Sequence, residues 1–142
     1  MKNLIIVAIL VLFTSIAYGQ RVDIFYNYHY GTEDYRTGSE IGANIIFGER
    51  DATGYHLALG VSAFAINKEE WDYYYSDKTL NATGVTVGWF PRNENNFFYS
   101  VTGYFGEKNT VGGQIGYRWN WAGISTGYSG IGGWGVGLHL IF

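Results

Sequence analysis

The stretch GWGVGLHLIF, residues 133–142, changes character at every step. Trp134, Val136, Leu138, Leu140 and Phe142 share one parity, while Gly135, Gly137 and His139 occupy the positions between them. A period of two marks a β-strand with two unlike faces. Chain ends ordinarily fray into solvent and are polar, so an apolar, alternating end predicts the closing strand of a sheet joined edge to edge.

Upstream the same alternation recurs, separated by turn chemistry. Counting back from residues 134–142, the segments are 122–129, 110–119, 97–106, 81–90, 55–66, 39–48 and 21–30, which makes eight strands. The connections read as GTEDYRTG (31–38), ERDATG (49–54), NKEEWDYYYSDKTL (67–80), PRNENN (91–96), EKN (107–109) and a turn around NWAG (120–123). No helical stripe of period 3.6 appears beyond residue 20.

Sorting the strands by parity separates the chemistry. One face carries Val22, Ile24, Tyr26, Tyr28, Ile41, Leu57, Leu59, Val61, Val85, Val87, Val101, Ile115, Ile124, Leu138 and Leu140, without a charge. The other carries Arg21, Asp23, His29, Glu40, His56, Arg118 and His139 among Gly, Ser, Thr and Asn, with no Lys. These seven ionisable groups fall on one parity across five segments. A sandwich in water would present Lys, Glu, Thr and Arg to solvent and bury the apolar face. Small polar residues suit a crowded interior instead, and an eight-stranded barrel has a lumen just wide enough for side chains to fill. The apolar face then points outward, which is stable in lipid, where a closed barrel pairs every backbone amide. Segments of about 10 residues match tilted membrane strands. With both termini on the periplasmic side, Phe47, Tyr55, Trp89, Phe97, Trp119 and Phe142 gather at one rim and Tyr28, Tyr30, Phe105, Tyr128 and Trp134 at the other. Two such belts are what amphipathic rings prefer at membrane interfaces.

Composition agrees. Glycine, 21 of 142 residues, is about double the usual share, and aromatics reach 19% with a single proline. The run MKNLIIVAILVLFTSIAYGQ has a basic start, an apolar stretch too short to span a bilayer, and small residues at Ala17 and Gly19. It predicts a cleaved signal peptide over 1–19 and a mature domain over 20–142. Without Lys2 the charges are 8 Lys+Arg against 12 Asp+Glu, 8 − 12 = −4, which excludes the basic stripe of a nucleic-acid binder. The absence of cysteine excludes disulfides, a lipidated N-terminus, c-type haem and thiolate metal sites.

With its leader, its eight alternating segments and its end at Gly137, Leu140 and Phe142, the chain resembles the small eight-stranded outer-membrane β-barrels of the OmpX and OmpA-transmembrane type. The resemblance implies an all-β, antiparallel, up-and-down transmembrane barrel in a bacterial outer membrane, with both termini periplasmic. It implies contact with outer-membrane lipid and lipopolysaccharide. It also implies that Gly137, Leu140 and Phe142 form the signal read by the barrel assembly machinery.

Two constellations carry candidate chemistry. Inside the barrel, Arg21, Asp23, His29, Glu40, His56, Arg118 and His139 form a lumen network, with His29 beside Glu40 and His139 beside Asp23 and Arg21. Buried charges need partners, so the plain reading is structural. The sharper reading is a histidine–acid pair of a lipid or lipopolysaccharide hydrolase, with Ser129 loosely near His29. The one GxSxG spacing, Gly123 to Gly127, lies in an alternating segment and opens no helix, so there is no nucleophile elbow, and the glycine spacing of GIGGWGVG likewise opens no helix and so binds no dinucleotide. Outside, Trp71, Asp72, Tyr73, Tyr74 and Tyr75 lie in the longest loop. Exposed aromatics among acids suit recognition of a surface ligand, or the rings rest on the rim; the acids lack EF-hand spacing. The expectation is a monomeric, non-enzymatic barrel without metal or cofactor. It has a filled polar lumen and a structural, surface-interaction or adhesion role. The alternatives are a lipid-modifying barrel enzyme, a narrow pore, and a secreted soluble barrel that binds a small ligand.

Overall fold

The computed structural model describes residues 21–32, 35–48, 54–68, 78–91 and 95–142. They form eight strands: β1 (Arg21–His29), β2 (Tyr35–Ile46), β3 (Tyr55–Lys68), β4 (Lys78–Pro91), β5 (Asn96–Gly106), β6 (Thr110–Trp119), β7 (Ala122–Ser129) and β8 (Gly133–Ile141). Each pairs antiparallel with the next, and β8 returns to β1, so the sheet is a closed barrel. Closure leaves no edge strand exposed. The seam continues past Ile141: Phe142 N donates to Val22 O at 2.8 Å, and Val22 N donates to Phe142 O at 3.1 Å. The terminal aromatic is part of the closing ladder, as its alternation suggests.

Three strands run further than the sequence reading has them. β2 starts at Tyr35, β3 continues to Lys68, and β4 starts at Lys78, with Lys68 opposite Lys78 and Asn67 opposite Thr79. The loops read as 31–38 and 67–80 are shorter as a result. Their outer residues are polar and resemble loop, but Ile66 and Leu80 turn inward and join one buried cluster. The turn around NWAG is a two-residue connection, Asn120–Trp121, in which Asn120 takes a positive φ of 25° that asparagine tolerates.

The parity sort has its orientation right. Asp23, Asn44, Glu40, His56, Thr86 and His139 are buried, while Ile41, Leu57, Val85, Val101, Ile124 and Leu138 are exposed. Val22 is an exception, buried despite its outward parity. The lumen is not polar throughout, however. Ile46, Ala58, Phe90, Phe98 and Ile141 form an apolar cluster at the end where β1 begins and β8 finishes. Phe64, Ile66, Leu80, Tyr104 and Ile131 form another at the far end. Polar side chains occupy the waist between the two plugs.

Large rings fit inside because glycines face them. A Cβ on Gly116 would run into the Phe98 ring, and one on Gly42 into the Phe25 ring. Interiors are packed without spare volume, so each of these rings requires such a gap on a neighbouring strand. Gly133 answers a different demand: its φ is +65°, and a Cβ there would meet the Gly31 carbonyl as β8 begins.

Candidate functional site

The waist holds two hydrogen-bonded clusters. In the first, Glu40 on β2 accepts from Ser62 Oγ at 2.6 Å, Asn27 Nδ2 at 2.9 Å and Tyr104 OH at 3.1 Å, with His29 Nε2 at 3.4 Å. These donors come from β1, β3 and β5, so the carboxylate ties together strands that do not all adjoin. Glu40, His29, Asn27 and Ser62 are all buried. A carboxylate enclosed this way is stable only with its lone pairs filled, and four groups surround it. The far-end plug packs directly on this cluster, with the Phe64 ring 4.8 Å from His29 and 5.5 Å from Tyr104.

In the second cluster, Asp23 on β1 faces His139 on β8. His139 Nδ1 lies 3.0 and 3.1 Å from the two carboxylate oxygens, and Asn44 Nδ2 donates to Asp23 Oδ2 at 2.8 Å. On the other side of the imidazole, Nε2 lies 2.9 Å from Ser125 Oγ on β7. An ionised Asp23 accepts only, so Nδ1 carries the proton and Nε2 accepts from the serine hydroxyl. The ring is held between Phe98, 4.7 Å away, and Phe25, stacked at 5.6 Å. Acid, imidazole and hydroxyl stand in the order of a Ser-His-Asp triad.

The sequence-predicted residues divide into three groups. The expected pairs His29–Glu40 and His139–Asp23 are both formed. Arg118 is buried and reaches the backbone: its Nη1 donates to Pro91 O at 3.1 Å and its Nε to Asn120 O at 3.0 Å, capping carbonyls at the end where β8 finishes. Arg21 and His56 are buried near that same end. Trp71, Asp72, Tyr73, Tyr74 and Tyr75 lie outside the described residues. Of the terminal motif, Gly137 faces the lumen beside Asn27 and Ser125, whereas Leu140 and Phe142 face out.

Ser129 is not the serine of either pair; its Oγ accepts from Gly132 N at 2.8 Å in the turn before β8. The hydroxyl beside a histidine belongs to Ser125, which sits opposite Gly137, two residues from His139. Sequence reasoning also passes over the roles of Asn27, Asn44, Ser62, Tyr104 and Gln114. Their inward parity is a readable signal, but Tyr104 and Gln114 have partners on strands that do not adjoin their own. Among the described residues no group of His, Asp and Glu is arranged to hold a metal ion.

Outside, the rims and the middle differ. Tyr55 stacks on Tyr99 at 5.4 Å and their hydroxyls meet at 2.8 Å, and Phe97, Tyr117 and Trp119 form a chain of edge contacts on the same side. At the opposite rim Tyr28 packs on Tyr30 and Tyr128 on Trp134. Between them the exposed side chains are Leu59, Val61, Val85, Val87, Val101, Ile115, Ile124, Val136 and Leu138.

Comparison with protein-family models, with curated proteins and with solved structures finds no match for this chain.

Proposed function

We propose that this protein is a monomeric integral barrel of a bacterial outer membrane, exported by a signal peptide over 1–19. It acts without catalysis, as a membrane-structural or surface-interaction protein. The observation that carries the reading is the reversed distribution of polarity. Twenty-eight large apolar or aromatic side chains are exposed among the described residues, while Asp23, Glu40, His29 and His139 are enclosed. The largest apolar patch on a typical water-soluble monomer is about 300–600 Å²; here the apolar surface circles the molecule. Lipid is the solvent in which that surface is stable, and aromatic rims flanking an aliphatic band match its two interfaces. A secreted soluble barrel would bury these side chains. A pore is disfavoured because apolar clusters plug the lumen at both ends. The start of β1 and the finish of β8 lie at one end, read as periplasmic. Outer-membrane lipid and lipopolysaccharide then surround the belt, and Leu140 and Phe142 face out where the assembly machinery would read them. Residues 71–75 fall in the sequence between the end of β3 and the start of β4 and are proposed as the surface offered to a ligand or another cell.

The deciding experiment is fractionation. Full-length chain expressed in a Gram-negative host is expected in the detergent-extracted outer membrane, migrating differently before and after boiling. Recovery as folded protein in the aqueous fraction without detergent removes the proposal.

The Asp23–His139–Ser125 array favours a second reading, a lipid-modifying hydrolase. Against it, His139 is wedged between two phenylalanines and the cavity touching Ser125 has a volume of about 20 Å³, room for a water but not an ester. A fluorophosphonate probe is expected to leave Ser125 unlabelled, and lipid A from expressing cells to keep its mass. Labelling that His139→Ala abolishes would restore the enzyme reading.

A further inference from the structure

The two lumen clusters meet through Gln114. Its Oε1 is approached by Asn27 Nδ2 from the Glu40 side and by Ser125 Oγ from the Asp23 side, each at 3.4 Å. Good N–H···O and O–H···O bonds are about 2.9 and 2.8 Å, and the bonds inside the clusters reach 2.6–3.1 Å apart from His29–Glu40. The link is slack where its neighbours are tight. A cavity of about 20 Å³ lies at this place, lined by Asn27, His29, Gln114, Ser125, Gly135 and Gly137 among others. Two buried atoms on its lining residues, Asn27 Oδ1 and His29 Nδ1, have no partner among the described residues.

The unused groups share one character. In the tautomer that turns Nε2–H to the Glu40 carboxylate, His29 Nδ1 is an acceptor. Asn27 Oδ1 is an acceptor, and Gln114 Oε1 holds only long contacts. The two unpartnered atoms and Gln114 Oε1 are all acceptors, so a molecule seated among them must bring hydrogens. The volume allows one small molecule, since a water needs roughly 10–15 Å³ of such space. A dry cavity would leave buried acceptors unsatisfied, which is costly.

We infer that this cavity is a water-binding site, and that its water is the joint between the two networks. The water donates to two of Asn27 Oδ1, His29 Nδ1 and Gln114 Oε1, replacing slack direct contacts with ordinary bonds. Asp23, His139, Ser125, Gln114, the water, Asn27 and Glu40 then form one connected column, the Ser125 hydrogen being shared between His139 Nε2 and Gln114 Oε1, so that a change at one carboxylate is felt at the other. The inference goes beyond the membrane reading and does not depend on it.

The test is a crystal structure of the full chain at a resolution that shows ordered solvent. One peak within roughly 2.7–3.2 Å of at least two of those three acceptors is expected. Two results overturn the inference: no peak, with Gln114 closing directly on Asn27 and Ser125, or a peak with several contacts of about 2.3–2.6 Å, the distances of a cation. A double-mutant cycle supplies the second readout. Ser62→Ala and Asn44→Ala perturb opposite clusters. Their combined effect on the unfolding constant is expected to depart from the product of the single effects by about 2-fold or more. In a Gln114→Leu background the two should multiply. Equal non-additivity in both backgrounds overturns the joint, and if Gln114→Leu does not fold, the wild-type solvent peak decides alone.

Discussion

Phe97 and Phe98 are neighbours in β5, yet Phe98 is 0% exposed and Phe97 is 52% exposed. Phe98 lies parallel to Phe90 at 4.8 Å and edge-on to His139 inside the barrel. Phe97 meets Tyr117 on the outer rim at 5.1 Å. One step along a strand exchanges a packed interior for the surrounding solvent, because successive side chains leave opposite faces. In this barrel the interior contains charge and rings together, and the exterior carries large apolar and aromatic side chains.

The largest way to break that contrast is from inside. Asp23→Ala leaves His139 Nδ1 and Asn44 Nδ2 without their acceptor, and removing one partner of a buried pair costs about 3–5 kcal/mol. Urea unfolding from lipid vesicles should read a loss of that order. Phe98→Ala belongs to the same range, about 3–5 kcal/mol for a core ring, whereas Phe97→Ala forfeits an aromatic pair worth about 0.5–1.5 kcal/mol. Equal losses for the two would contradict the stated orientation of β5.

The outer face is probed by Leu138→Arg, at an exposed position between the rims. In lipid it should cost about 2–4 kcal/mol. On a water-facing surface the same change would stay within roughly 0.5 kcal/mol, so vesicle refolding separates membrane from soluble readings. Gly116→Ala tests the packing of ring against glycine: its Cβ would strike Phe98, and overpacking costs about 1–3 kcal/mol. A neutral result would mean that Phe98 has room to move. The smallest effect is Tyr99→Phe, which removes the hydroxyl contact to Tyr55 at the rim and should cost about 0.5–1.5 kcal/mol.

Much of this is legible in the amino-acid order, for identifiable reasons. Strict alternation in residues 134–142 and 110–119 gives strands whose ends match β8 and β6 closely, because no charged residue interrupts the outward parity. His29–Glu40 and His139–Asp23 are readable because β1 adjoins both β2 and β8 in a closed eight-stranded barrel. Ser125 stands in a GxSxG spacing, Gly123 to Gly127, but choosing it over Ser129 as the neighbour of His139 requires the stagger between β7 and β8. The tops of β3 and β4 escape notice because Lys68, Lys78 and Thr79 look like loop when only polarity is counted. Phe25, Phe64, Phe90 and Phe98 stand on the charged parity. Sorting for polarity passes over them, and they pack against the waist and its plugs.

The amino-acid sequence by itself determined the strand count, the alternation and the side of the sheet on which each charge lies, because a period of two assigns every residue a face. Only the tertiary structure decided depth and company. It set which carboxylate meets which imidazole, where rings seal the lumen, and how near Gln114 stands to both networks. Direction is local to a strand, but height and cross-lumen distance depend on register accumulated around eight strands and fixed when β8 closes on β1.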